Sequence, residues 1–257
     1  MLQSSTLQKA LAAGQTVLGP FCKMSDPTVY ELAGLAGFDF AIIDMEHGPL
    51  GFETAQQLVR TCEMAGISPV IRIPANRGEY VQRALDIGAH AVQVPEINTA
   101  ADAQCLVDAA KFHPEGRRGV CRFVRAAQYT RLDKQEYFGL ANRQQQVIAH
   151  IEGRTGFDNL DAILAVDGIS VIFIGPYDLS QSLGIPGQTD HPRLQETMAD
   201  IVRRSRAAGK AVGTFVETPQ QAAHWMAQGV GYISYSVDVG LLLQAFTSVV
   251  GSVRGKK

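Results

Sequence analysis

Residues 147–180 read VIAHIEGRTGFDNLDAILAVDGISVIFIGPYDLS. Two short apolar runs, Val147–Ile151 and Val171–Ile174, flank an amphipathic segment, Phe157–Val166, with Gly168 just past its end. Runs that short, and apolar on both faces, read as strands of a buried parallel sheet. The segment between them reads as the crossover helix that a parallel connection needs. Each strand is followed by an acid, Glu152 after the first and Asp178 after the second. The unit therefore indicates both an architecture and a place to look for chemistry.

Working outward, the same βα unit recurs along the whole chain. After a leading helix near Leu7–Ala13, strands are predicted at Val17–Cys22, Phe40–Met45, Pro69–Ile73, Ala91–Val94, Val147–Ile151, Val171–Ile174, Ala211–Val216 and Tyr232–Ser236. Helices are predicted between them at Pro27–Ala36, Phe52–Ala65, Glu79–Ile87, Ala101–Lys111, Phe157–Val166, Pro192–Ala208 and Pro219–Gln228. Eight such units favour closure into a (β/α)8 TIM barrel, and 257 residues suit one barrel domain spanning 1–257. The exception is Pro114 to Arg143, which carries GRRGVCRFVRAAQY and reads as an irregular loop with a functional or interface role.

Composition excludes several classes. A hydrophobic fraction of 46%, a charged fraction of 19% and a net charge of -2 describe an ordinary globular chain, with no basic field for nucleic acid or anionic lipid. The four cysteines show no CxxC pair and suit reduced core thiols. Neither a signal segment nor an apolar run of roughly 20 residues is present, so a soluble cytoplasmic protein is expected, with no membrane partner.

In a TIM barrel, chemistry sits at the C-terminal ends of the strands, so the polar residues that end each apolar run form the candidate site. Strand two ends in Asp44, Glu46 and His47; strand three carries Arg72; strand four ends near Glu96; strand five carries His150 and Glu152; Asp178 follows strand six; Glu217 and Asp238 end the last two. So many acids converging on one mouth, beside a histidine and an arginine, call for a cation. Glu152 and Asp178, on adjacent strands, are the pair placed to share a divalent ion, with waters and substrate oxygens completing the shell. Glu217 and Asp238 each start a helix and are expected to cap it or to pair with an arginine. Zinc is disfavoured, since no HxH or HExxH pair exists among the scattered histidines. His47, three residues after Asp44, is the candidate general base, its ring oriented by that acid. Arg72 stands in an otherwise apolar strand and must pair with an acid or an anionic ligand. In Gly175-Pro176-Tyr177-Asp178, backbone N–H groups at the start of a helix can hold a carboxylate.

With these residues in hand, the chain resembles the HpcH/HpaI aldolases, class II pyruvate aldolases acting on 4-hydroxy-2-oxo acids and 2-keto-3-deoxy sugar acids. FDFAIIDMEHGP, PVIRIP, HPEGRRGV, VIAHIEGRTGFDNLDAIL and VIFIGPYDLSQSLG carry the resemblance, in order, over nearly the whole chain. It implies that Glu152 and Asp178 ligate Mg2+, Mn2+ or Co2+, that Arg72 binds the 2-oxo acid and steadies its enolate, and that His47, oriented by Asp44, is the base. It also implies that backbone amides of Tyr177 and Asp178 hold the pyruvate carboxylate, that the partners are a small 2-oxo acid and an aldehyde, and that the protein is a homo-oligomer, a hexamer of paired barrels. Three positions depart from the family's pattern: Tyr177 where Ala or Asn is common, His150 where Gln or Met is frequent, and Phe215 where Leu is frequent. They bear on the substrate, and Phe215 is expected to border the aldehyde.

Rival readings make separate demands. A Schiff-base aldolase needs a lysine at the mouth; Lys9, Lys111, Lys134, Lys210 and Lys257 fall elsewhere, and only Lys23 is on the right face. A CoA-ester lyase of the citrate or malyl type would need contacts for CoA, and a non-catalytic ligand-binding barrel would leave the polar mouth without purpose.

Overall fold

A computed structural model describes residues 6–255. Eight strands, β1 (Val17–Cys22), β2 (Phe40–Asp44), β3 (Ser68–Arg72), β4 (Ala91–Val94), β5 (Gln146–Ile151), β6 (Val171–Ile174), β7 (Ala211–Val216) and β8 (Tyr232–Val237), pair in parallel and in sequence order. β8 pairs back onto β1 and closes the barrel. The strands are buried on both faces, which explains their unbroken apolar runs: one set of side chains fills the barrel, the other packs against the helices. Inside, the Phe40 and Tyr232 rings stack with centroids 4.3 Å apart. The leading helix, Thr6–Ala12, covers the N-terminal end of the barrel. It inserts Leu7, which is fully buried, and both Thr6 Oγ1 and the Leu7 N–H meet Ser68 Oγ.

Two expectations need correction. The segment Pro114 to Arg143 is not wholly irregular. It contains a short 3-10 turn, Arg125–Thr130, and a helix, Lys134–Gln144, whose N-terminus is capped by Asp133 accepting from the Gln135 and Glu136 N–H groups. The crossover predicted at Phe157–Val166 is two shorter helices, Arg154–Asp158 and Leu160–Leu164, broken at Asn159. Of the thiols, Cys22 and Cys62 are buried in the core while Cys105 is exposed and Cys121 half-buried. Lys257 lies outside the described residues, as do residues 1–5 of the expected 1–257 domain. No described helix is long and apolar enough to cross a membrane.

Candidate active site

The parallel register sets two charged side chains next to one another at the mouth, because Asp44 is the register partner of Arg72 across β2 and β3. Arg72 Nε donates to Asp44 Oδ1 (2.9 Å) and Nη2 to Oδ2 (2.8 Å), a two-pronged pair. Nη1 lies 2.9 Å from Glu46 Oε2, and the guanidinium sits 4.5 Å from the centroid of the Phe21 ring. Held on three sides, Arg72 keeps the remaining N–H bonds of its terminal nitrogens for a ligand. Burial alone would raise Asp44, but Arg72 and the N–H groups of His47 and Glu46 outweigh it and hold the carboxyl below its ordinary range.

That arrangement corrects one expectation. Asp44 accepts from the backbone N–H of His47 (3.2 Å), and its carboxylate is taken up by Arg72 instead of orienting the imidazole. The carboxylate turns toward β3 because it belongs to the strand, whereas His47 lies beyond the turn at Glu46. Asp44 is thus the residue that positions Arg72, and His47 stands exposed at the mouth.

Glu152 follows β5 and is oriented by two partners. His150 Nδ1 lies 2.9 Å from its Oε2, and the Glu96 N–H donates to its Oε1 at 2.7 Å. Glu96 adopts a left-handed backbone conformation, φ 56°, uncommon outside glycine and frequent at functional sites. Behind His150 a buried chain continues: Tyr232 Oη donates to Gln93 Oε1 (3.0 Å), which leaves the Gln93 amide nitrogen to donate to His150 Nε2 (2.7 Å). His150 Nε2 must then accept, so Nδ1–H donates to Glu152. Burial pushes Glu152 up, but His150, the Glu96 N–H and Arg72 together bring it down to about 2, so it is an anion at neutral pH. Glu46, by contrast, is raised from its ordinary value, by burial first and also by the neighbouring Glu152 charge, against the pull of Arg72.

Asp178 lies in the first turn of helix Pro176–Ser182, exposed to the mouth. Pro176 has no N–H, and the helix's own bonding starts at the Leu179 N–H, which donates to Gly175 O (3.0 Å). The N–H groups of Tyr177 and Asp178 therefore stand outside the helical ladder.

A cavity of about 370 Å³ gathers His47, Arg72, Glu152, Gly175, Pro176, Tyr177, Asp178 and Phe215, every expected site residue except Asp44, which is buried behind Arg72. A second opening of about 320 Å³ shares His47, Glu152 and Asp178 with it and adds Glu46 and Glu96. The cavity also includes Phe21, Lys23, His150, Phe173, Glu217 and Val237. Lys23 Nζ lies 4.0 Å from Asp44 Oδ2, so it meets the same carboxylate that Arg72 holds. Glu217 caps no helix: Thr218 does so by accepting from the Gln221 N–H, while Glu217 Oε2 accepts from Tyr177 Oη at 2.5 Å. Asp238 fastens the end of β1 by accepting from the Lys23 and Met24 N–H groups.

Among the described residues no three His, Cys, Asp or Glu side chains converge closely enough to hold an ion by themselves. The donor set still suits a hard divalent cation that completes its shell with substrate and water oxygens. Glu152 is pinned as an anion next to a second acid, Glu46, and Asp178 faces the same opening. A cation there would relieve that repulsion.

The fold and the site together define a (β/α)8 protein of enzyme type, with acids, an arginine and a histidine around one cavity at the C-terminal mouth. Residues 17–245 match the HpcH/HpaI aldolase/citrate lyase family, and the chain belongs to it. It is 36% identical over 246 residues to the hydroxypyruvate/pyruvate aldolase of Roseobacter denitrificans, covering 95% of each chain. It is also 36% identical to the 2-keto-3-deoxy-L-rhamnonate aldolase of Klebsiella pneumoniae, covering 95% of this chain and 91% of that one. A solved HpcH/HpaI aldolase/citrate lyase family protein from Burkholderia cenocepacia superposes with a TM-score of 0.92 at 33% identity, over 98% of this chain and 100% of the other.

Proposed function

We propose that this protein is a class II aldolase that makes or breaks the C3–C4 bond of 4-hydroxy-2-oxo acids, giving pyruvate or a close 2-oxo acid plus an aldehyde. The observation that carries the reading is that Glu152, Asp178, Arg72 and His47 line one cavity. Relatives named as aldolases at 36% identity over nearly the whole chain support it.

Glu152 and Asp178 would hold the divalent ion, Mg2+, Mn2+ or Co2+, which when bound supplies Lewis-acid polarisation of the 2-oxo acid carbonyl. The chain's own groups do the rest. Arg72, fixed by Asp44, offers its free N–H bonds to the keto oxygen, where negative charge grows as the C3–C4 bond breaks. His47 accepts the 4-hydroxyl proton, a role open to an exposed imidazole at the mouth. The N–H groups of Tyr177 and Asp178 receive the substrate carboxylate. Phe215, half-buried against Phe21 and Tyr177, borders the aldehyde side.

The working unit is proposed to be a homo-oligomer, the hexamer that the family resemblance implies, in the cytoplasm. The last helix, Asp238–Arg254, supports association, since Leu243, Phe246, Val249 and Val253 on it are 60–78% exposed. Light scattering should give a particle larger than the 27.7 kDa chain. Activity is tested by screening aldehydes against pyruvate with Mn2+. Turnover of at least one is expected, and silence across a broad panel would return the barrel to a ligand-binding role.

A further inference from the structure

Next to the catalytic cavity lies a larger one of about 450 Å³, walled by β7, by the segment that follows helix Pro176–Ser182, and by helix Pro219–Ala227. The two share Pro176, Tyr177, Phe215 and Glu217. These residues form a partition: Tyr177 Oη donates to Glu217 Oε2, and the Tyr177 ring meets Phe215 edge-on with centroids 6.0 Å apart. Tyr177 is 42% exposed, so the partition is a rim that a ligand can cross and not a sealed wall.

The chemistry beyond the rim is distinctive. Asp190, Gln195, Gln220 and Gln221 line it, over a floor that includes the buried Trp225. Among the described residues that line it there is no lysine or arginine. A phosphate or carboxylate would find no ammonium or guanidinium there, only the His224 imidazole, whose Nε2 is already met by Gln228 Nε2 (2.7 Å), and would face Asp190 and Glu217. A hydroxyl both donates and accepts, and amides beside carboxylates answer both needs, while the indole and Phe215 can cover the C–H face of a polyol chain.

We propose that this outer chamber receives the far end of the acceptor, and that the acceptor is a neutral, polyhydroxylated aldehyde long enough to cross the Tyr177–Glu217 rim. The proposal rests on the aldolase reading of the inner site. The reacting carbonyl stays beside His47 and Arg72, and the hydroxylated tail lies over the rim against Gln220, Gln221 and Asp190.

Three aldehydes test it with pyruvate: glycolaldehyde, with two carbons; D-erythrose, with a hydroxylated tail two carbons longer; and the terminal phosphate ester of erythrose, which carries the same chain with an anion at its end. Wild type should prefer erythrose, with the phosphate ester poorest. Gln220→Trp, at an exposed position, fills the chamber and should lower kcat/KM for erythrose by about 10-fold or more with glycolaldehyde unchanged. Asp190→Lys, also exposed, should raise the phosphate ester relative to erythrose by about fivefold, the scale of one exposed ion pair. Exchange of the pyruvate methyl protons with solvent, measured in parallel without aldehyde, reports on the inner site alone. Absence of exchange in the wild type overturns the aldolase reading and the proposal with it. Normal exchange, with a ranking that neither substitution moves, overturns the proposal alone.

Discussion

Gly175 lies so close to Glu152 that a Cβ at position 175 would stand 2.8 Å from Glu152 Oε2 and 2.9 Å from its Cβ. The absent side chain is what lets Glu152 cross the end of β6 while keeping its bonds to His150 and the Glu96 N–H. Gly175→Ala should therefore displace the carboxylate. Overpacking of this kind costs roughly 1–3 kcal/mol. Half-saturation by Mn2+ in activity assays should rise about 10-fold or more, against a modest fall in melting temperature. A variant with unchanged metal dependence would mean that Glu152 is not a ligand.

The Asp44–Arg72 pair predicts an acid-side signature. Because the Asp44 carboxyl is held below its ordinary value in the fold, its contribution is fully present above the unfolded value of about 3.9. It is lost as pH falls through the lower folded value. Asp44→Asn should remove that segment of the stability profile. At neutral pH it should cost roughly 3–5 kcal/mol, as breaking one side of a buried pair does. Urea melts from pH 7 down to pH 3 check both, and a parallel offset at every pH would contradict the assignment.

His47→Ala should lower kcat by about 10² or more while leaving metal affinity near wild type, the usual consequence of losing a general base. Steady-state kinetics with a metal titration decide it. An unaltered kcat would leave His47 as a bystander at the mouth.

Phe215→Leu should shift relative kcat/KM among aldehydes by about 10- to 200-fold at most, with pyruvate enolisation preserved. The side chain reaches both cavities, so it can affect acceptors. It also packs on Phe21, so some loss of melting temperature is expected. A lowered melting temperature with an unmoved ranking would limit Phe215 to packing.

The barrel was legible because its strands are short apolar runs separated by amphipathic helices, and the acids at their ends stood out against that background. Lys134–Gln144 was harder to read. Its sequence, KQEYFGLANRQ, buries only Tyr137, Ala141 and Asn142, and one of those is polar: Asn142 exchanges hydrogen bonds with the backbone of Phe112. The Tyr232–Gln93–His150–Glu152 chain was hidden for a different reason. Gln93 and Tyr232 are 139 positions apart, and only closure of the barrel brings them together. Proximity in sequence points Asp44 toward His47, whereas the strand register sets it beside Arg72. A pairing of β2 with β3 drawn from the sequence would have shown the two side by side.

Enolate formation from pyruvate is proposed to depend on the divalent ion that Glu152 and Asp178 would hold, with Arg72 donating to the keto oxygen. The most direct measurement is deuterium exchange into the pyruvate methyl group, followed by proton NMR with Mg2+ and no aldehyde. Exchange should be catalysed by the wild type, abolished by EDTA, restored by added Mg2+, and reduced about 10²-fold or more by Arg72→Ala, the scale of losing one donor to a developing oxyanion. Undiminished exchange after exhaustive chelation, or in Arg72→Ala, would contradict the account.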